Sequence, residues 1–175
     1  MPGFELIGKE ERKAVNELFD DGGVLFAHGF DNMRNERYHV REFERQFADY
    51  LGVKYAQAVS SGTAALKIAL VALGVKPGDE VITQAFTFVA TAEAIIDVGA
   101  KPVFININET LNMDPNELES AITNKTAAII PVHMLGVAAE QDKIYAIANK
   151  YNIPVLDDAC ESLGAEWGNE KLGSQ

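Results

Sequence analysis

Ser60-Ser61-Gly62-Thr63-Ala64 joins an apolar segment to an apolar helical stretch through two hydroxyl residues and a glycine. Unpaired backbone N–H groups at a helix start, the helix dipole and the Ser and Thr hydroxyls together suit a phosphate or another anion. The same residue types also cap helices with no ligand involved. Asp157 and Asp158 follow the apolar run IPVL. A carboxylate there can act as a base, hold a metal, pair with a cation on a bound ring, or cap the next turn. No His or Cys cluster at metal-ligand spacing accompanies the pair, so no metal site is expected. Phe86 and Phe88 offer flat faces, either to the core or to a planar ligand. His133, just ahead of Gly136, suits loop packing, and His28 and His39 have no nameable partner.

Several motif matches fail on inspection. Gly3-x4-Gly8-Lys9 imitates a phosphate loop, but Glu10 stands where Ser or Thr is needed and no strand precedes it. G-x-G-x-x-G, G-x-S-x-G and H-E-x-x-H do not occur. Asn108-Glu109-Thr110 and Asn124-Lys125-Thr126 are glycosylation sequons by pattern, with no meaning unless the chain is secreted.

The elements that must position these residues alternate in period. Residues 9–19 and 39–51 read as amphipathic helices, the second stopped by Gly52. Apolar runs at 55–59, 80–83, 102–107, 127–132 and 153–157 read as strands. Helices are predicted between them over 64–73, 87–98, 115–122 and 141–151, with Asp114 as N-cap and Pro115 at the first helical position. Continuous apolar strands separated by helices predict an α/β fold, a parallel sheet covered on both faces. In such a sheet ligands bind outside the carboxyl ends of the strands. That rule selects Ser60–Ala64, Gln84–Phe88, Val132–Gly136 and Asp157–Glu161.

Composition bounds the rest. Of 175 residues, 47% are hydrophobic and 23% charged, an ordinary globular balance. The greasiest stretch, Val81 to Ile107, is broken by Gln84, Glu93, Asp97 and Lys101, so no membrane span is expected. Glu5, Glu10, Glu11 and Asp20 occupy the region where a signal peptide needs an apolar core. Fifteen basic against 26 acidic residues give −11, which repels phosphate backbones over most of the surface and argues against a nucleic-acid binder. The single cysteine, Cys160, fits a reducing cytoplasm. No internal repeat, low-complexity tract or linker is found.

Six segments in order carry a resemblance. These are Ser61-Gly62-Thr63-Ala64-Ala65-Leu66, Gly78-Asp79-Glu80-Val81-Ile82, Thr87-Phe88-Val89-Ala90-Thr91, Gly99-Ala100-Lys101-Pro102-Val103, Pro131-Val132-His133-x-x-Gly136, and Asp158-Ala159-Cys160-Glu161-Ser162-Leu163-Gly164-Ala165. Together they resemble the DegT/DnrJ/StrS family of pyridoxal-phosphate aminotransferases acting on nucleotide-linked keto sugars. The resemblance implies the large domain of a fold type I PLP-dependent transferase over 53–175, preceded by a helical arm over 1–52. It places Gly62, Thr63 and Ala64 on the cofactor phosphate, Phe88 against the pyridine ring and Asp158 on the pyridine nitrogen. Asp157 falls outside the matched position and is read as structural. Glu161 stands where many family members carry Gln or His near the ring hydroxyl, and a carboxylate there repels a phenolate unless one of the two is protonated.

The family continues beyond a segment like Lys171-Leu172-Gly173-Ser174 into a strand, the Schiff-base lysine and a smaller C-terminal domain. By the resemblance, then, this chain corresponds to the first half of such an enzyme, without that lysine. The strand at 55–59 would lack the neighbours that come later in the family's sequence. The implied activity is amino transfer from a glutamate-type donor to a nucleotide sugar, for polysaccharide, lipopolysaccharide or secondary-metabolite biosynthesis, by a cytoplasmic homodimer. Two alternatives stand beside it. One is a sugar dehydratase of the same fold and cofactor, which carries histidine in place of the lysine. The other is a non-catalytic remnant that only associates with a partner.

Overall fold

The structure, a computed structural model, describes residues 4–174. It divides into two compact units, the first ending at Ala58 and the second beginning at Val59; the sequence reading sets this division after residue 52.

The first unit holds α1 (Lys9–Asp20) and α2 (His39–Leu51), with short 3-10 turns at Phe4–Leu6 and Asp31–Met33. Gly52 ends α2 at φ 76°, a left-handed conformation that glycine adopts without a Cβ penalty. Glu44 of α2 ties down the segment that follows: its Oε1 accepts the Ala58 N–H and the Gln57 amide, each at 2.8 Å. The strand expected at 55–59 is not formed. A strand exists through its ladder of partners, and among the described residues this segment has none; Tyr55 is 76% exposed.

In the second unit, β1 (Glu80–Gln84), β2 (Lys101–Ile105) and β3 (Thr126–Ile130) form a parallel sheet in the order β2-β1-β3. The fifth predicted strand lies beside β3 as bridges rather than a ladder. Ile129 N–H donates to Pro154 O at 3.0 Å, Leu156 N–H to Ile129 O at 2.9 Å, and Asp158 N–H to Pro131 O at 2.9 Å. Pro131 and Pro154 have no N–H, which interrupts the pairing. A short hairpin of β4 (Glu166–Trp167) and β5 (Glu170–Lys171) follows.

Alternation along the strands distributes the helices. Val81, Ala128 and Ile130 face a core built with Leu66 and Leu70 of α3 (Gly62–Ala72) and Ala94 and Ile95 of α4 (Val89–Asp97). Ile82, Ile105 and Ile129 face the other way, onto Leu118 of α5 (Pro115–Ala121) and Ile144 and Ala148 of α6 (Gln141–Tyr151). Successive strand residues point to opposite faces, so β1 and β3 feed both cores, while β2 feeds the second through Val103 and Ile105. Asp114 caps α5 as expected, accepting the Asn116 N–H at 2.9 Å. Gly99, at φ 79° after α4, is required as glycine: a Cβ there would sit 2.9 Å from Pro77 Cβ.

Candidate functional site

Short turns join α3 to β1 and β1 to α4, so both helices run back against the sheet and present their N-termini at its carboxyl edge. The loops after β3 and after Asp158 reach the same edge.

Ser61 is the N-cap of α3: its Oγ accepts the Ala64 N–H at 3.1 Å. The capping reading is therefore correct for Ser61, and it uses the Ala64 donor. Among the described residues, the N–H groups of Gly62 and Thr63 and the Thr63 hydroxyl have no hydrogen-bond partner. A Cβ built on Gly62 would meet nothing within 4 Å, so open space lies over these donors. The helix start is set up for an anion, with two backbone donors and one hydroxyl in hand.

Asp158 is 7% exposed. Its Oδ2 accepts the Thr91 hydroxyl at 3.0 Å and its Oδ1 the Cys160 N–H at 3.3 Å. The carboxylate therefore caps the following turn and is also fixed from α4. Thr91 Oγ1 lies 2.9 Å from Thr87 Oγ1, which extends the chain of hydroxyls to the loop before α4. Cys160 senses the same carboxylate. Burial, with the hydrogen bond and charge of Asp158 and the charge of Glu161, pushes its thiol up to about 12.

Phe88, the residue before α4, is 69% exposed and Phe86 44%. The core reading of either ring fails, and both aromatic faces are open at the sheet edge.

Asp157 points away from this chemistry. It accepts the Tyr145 hydroxyl at 2.7 Å and lies 3.3 Å from Nε2 of the fully buried His133. His133 Nδ1 accepts the Ala139 N–H at 3.1 Å, so in the neutral ring the proton sits on Nε2. Gln141 Nε2 stands 3.3 Å from that nitrogen while its own Oε1 is buried and unpaired. Turning the Gln141 amide over would let His133 Nε2–H donate to Oε1, with no atom displaced. His133 and Asp157 are framework residues, as the sequence suggests.

Glu161 Oε2 accepts the N–H of Leu135 at 2.9 Å. Leu135 has φ 54° and ψ 26°, a left-handed conformation costly for a leucine. The carboxylate thus holds a strained loop, a role that its sequence position did not suggest.

Three residues whose individual roles the sequence did not indicate, although Gln84 opens the selected stretch Gln84–Phe88 and Thr91 closes a family-like segment, anchor the surrounding loops. Gln84 is fully buried; its Oε1 accepts Met113 N–H at 3.0 Å and Val132 N–H at 3.1 Å, and its amide donates to Phe86 O and Leu111 O. Asn112, also fully buried, accepts Met134 N–H at 2.8 Å and donates to Val137 O. The third is Thr91. The buried glutamine that closes β1, and a second hydroxyl residue, Thr87, four positions before Thr91, were the available signals. Among the described residues no group of His, Cys, Asp or Glu is placed to hold a metal ion.

An α/β layer whose carboxyl edge offers free helix-start donors, a buried carboxylate and an open aromatic has known counterparts. Residues 7–175 match the DegT/DnrJ/EryC1/StrS aminotransferase family, and the chain belongs to it. A UDP-2-acetamido-2-deoxy-3-oxo-D-glucuronate aminotransferase of Pseudomonas aeruginosa is 52% identical over 75% of this chain and 37% of its own length. The fold matches a solved 3-amino-5-hydroxybenzoic acid synthase at a TM-score of 0.89, with 35% identity over 98% of this chain and 43% of that one. A Bacillus subtilis protein solved with bound cofactor PMP is 38% identical over 91% of this chain and 35% of its own, at a TM-score of 0.79. The chain thus spans about two fifths of the length of such relatives.

Proposed function

We propose that the chain is the cofactor-binding part of a pyridoxal-phosphate-dependent aminotransferase. The whole protein would move an amino group from a glutamate-type donor to a nucleotide-linked keto sugar, in polysaccharide, lipopolysaccharide or secondary-metabolite biosynthesis. The observation that carries this reading is Asp158, a buried carboxylate held at both oxygens at the carboxyl edge of the sheet.

The residues present fit the cofactor. Free N–H groups of Gly62 and Thr63 and the Thr63 hydroxyl, under open space, suit its phosphate. The open ring of Phe88 suits its flat face. When bound, the cofactor supplies an electron sink for the bond that breaks next to the transferred nitrogen. Asp158 would keep a proton on the pyridine nitrogen, since an adjacent anion favours the charged ring. Thr91 would hold the Asp158 carboxylate in place by its hydroxyl, and the Gln84–Asn112 network would keep the loops beneath rigid. Glu161, already bonded to Leu135 N–H, would meet the ring hydroxyl with only its other oxygen uncommitted.

Exposed apolar side chains on α3 and α4, Ile68, Val71 and Ile96, support the reading of a homodimer. A cytoplasmic setting fits the single cysteine, and no helix among the described residues is long and apolar enough to cross a membrane.

Equilibrium dialysis of the chain against pyridoxal phosphate tests the assignment. Saturable binding at one site per chain, weakened by Asp158→Asn and Thr63→Val but not by Asp157→Asn, is expected. Binding that none of these variants alters would overturn it.

A further inference from the structure

Glycine, asparagine and aspartate usually stand where a backbone turns left-handed, because a larger Cβ substituent makes that conformation costly. The second unit keeps to this at Asn152, which ends α6, but not at the carboxyl edge of its sheet. There Leu111, after β2, has φ 65° and Leu135, after β3, has φ 54°. Leucine has no side-chain hydrogen bond to offset the strain, and Leu135 has no burial either, being 67% exposed. It precedes Gly136 (φ 83°) in a turn closed by Val137 N–H on Met134 O at 2.9 Å. Two successive left-handed residues in such a turn favour Asn, Asp or Gly at the first place. Neither packing nor turn preference explains the leucine. Strain of this kind persists only where surrounding contacts over-determine it.

Those contacts come from two directions. Buried Asn112 accepts Met134 N–H at 2.8 Å and donates to Val137 O at 3.1 Å, which fixes the residues on either side of the left-handed pair. The turn that begins at Asp158 meets the same loop at three points. Asp158 O accepts His133 N–H at 3.1 Å, Glu161 Oε2 accepts Leu135 N–H at 2.9 Å, and a Cβ built on Gly136 would lie 3.6 Å from Glu161 O. Among the described residues, Glu161 is the side chain that bonds the strained residue itself.

The same turn holds the Asp158 carboxylate, through Cys160 N–H on Oδ1, and Ser162 N–H on Ala159 O closes it at 3.0 Å. Glu161 follows Cys160 directly. Its pull on Leu135 N–H and the Asp158–Cys160 bond therefore bear on one short stretch of backbone. Without that pull, Leu135 gains by returning to a right-handed conformation, which turns its N–H away and draws Gly136 from Glu161 O. The turn then loses a wall, and Cys160 N–H is free to leave Asp158.

We infer that Glu161 is a positioning residue: its bond to Leu135 N–H latches the turn of residues 158–162 onto a strained loop and so fixes the Asp158 carboxylate. The consequence for the cofactor rests on the aminotransferase reading above. The latch itself does not.

Labelling of Cys160 by a disulfide reagent reads the latch with no cofactor present. In the closed turn the thiol is partly desolvated and hydrogen-bonded to Asp158, and both disfavour the reactive thiolate. Glu161→Ala and Glu161→Gln remove the same charge, but only Gln leaves an oxygen to accept Leu135 N–H. Glu161→Ala should therefore label at least about threefold faster than Glu161→Gln, as loss of a neutral hydrogen bond dictates. Leu135→Gly removes the strain, so in the Glu161→Ala background it should bring the rate back toward that of Glu161→Gln. Leu135→Gly alone should not lower the melting temperature, although glycine ordinarily costs stability through chain entropy. Equal labelling of Glu161→Ala and Glu161→Gln, a double variant as fast as Glu161→Ala, or a lower melting temperature for Leu135→Gly would overturn the latch.

Equilibrium dialysis of the same proteins against pyridoxal phosphate reads the consequence. Affinity should fall severalfold in Glu161→Ala and recover in part when Leu135→Gly is added, which the loss of a direct contact would not do. A fall that Leu135→Gly leaves untouched would overturn the positioning role. If no protein of the set binds the cofactor, wild type included, the aminotransferase reading fails while the labelling still decides the latch.

Discussion

The hydroxyl of Thr91 donates to Oδ2 of Asp158 at 3.0 Å across 67 residues of sequence. This bond locks a helix of one face to the end of the segment beside β3, and both partners are buried. Thr91→Val keeps the shape and removes the donor, leaving a buried carboxylate oxygen short of a partner. The expected cost is about 1–3 kcal/mol of stability. For a unit of this size that is a fall of several degrees in melting temperature, which Thr91→Ser should largely restore. An unchanged melting temperature for Thr91→Val would show that the bond contributes nothing.

Thr63 separates a phosphate site from a bare helix cap. Ser61, not Thr63, makes the capping bond to Ala64 N–H. Thr63→Val should therefore leave the fold intact while weakening pyridoxal phosphate binding roughly tenfold, the worth of one hydrogen bond to a charged group. Dialysis gives the constant. Equal affinity in wild type and variant would remove Thr63 from the site.

Phe88 is tested by a change of shape at near-constant apolarity. The ring is 69% exposed, so Phe88→Leu should hardly move the melting temperature. If the ring lies against the cofactor, affinity should fall by the value of an aromatic stack, on the order of 0.5–1.5 kcal/mol. A large loss of stability with constant affinity would contradict both the exposure and the role.

The sheet and its helices were legible because alternation and helical period are written locally. Val81 and Ile82, neighbours in sequence, sort onto opposite cores as a period of two demands. The segment at 55–59 shows the complementary case: its residues favour a strand, but a strand needs a partner, partners are not local, and the neighbours that the resemblance gives this strand are the ones it was expected to lack, so no strand forms. Asp158 and Gly62 stood out as residue types at predicted strand and helix ends. Thr91, Gln84 and the hold of Glu161 on Leu135 did not. Each acts through a contact tens of residues away, and nothing in the flanking sequence records the distance.

Cys160 reports on Asp158 from outside the proposed ligand contacts. Cys160 is an exposed residue whose thiol is partly desolvated, and that desolvation first, then the neighbouring carboxylate, pushes the thiol up to about 12. A raised thiol pKa means less thiolate, so labelling by a disulfide reagent at pH 8 should be far slower than for an ordinary thiol. The rate should climb as pH rises toward 12. Asp158→Asn removes the anion and should lower the Cys160 pKa and speed labelling. Fast labelling of the wild type at pH 8 would contradict the environment described here.

Asp158→Asn also separates chemistry from capping. Asn caps as well as Asp, and its amide oxygen can still accept either Thr91 Oγ or Cys160 N–H, so the fold should survive with a modest loss of stability. A partner for a protonated pyridine nitrogen would not survive, because a neutral amide does not favour the charged ring. The variant should bind pyridoxal phosphate more weakly. In the whole protein, amino transfer should slow by at least ~100-fold, about 2.7 kcal/mol in the barrier. Asp157→Asn is the matched control. It disturbs the Tyr145 hydroxyl and the surroundings of buried His133, so it should lower the melting temperature more than it lowers cofactor affinity. The measurements are dialysis for affinity, thermal melts for stability, and single-turnover rates with the amino donor for chemistry. Near-wild-type affinity and rate in Asp158→Asn, or a greater loss of either at Asp157, would sink the assignment of Asp158 to the pyridine nitrogen.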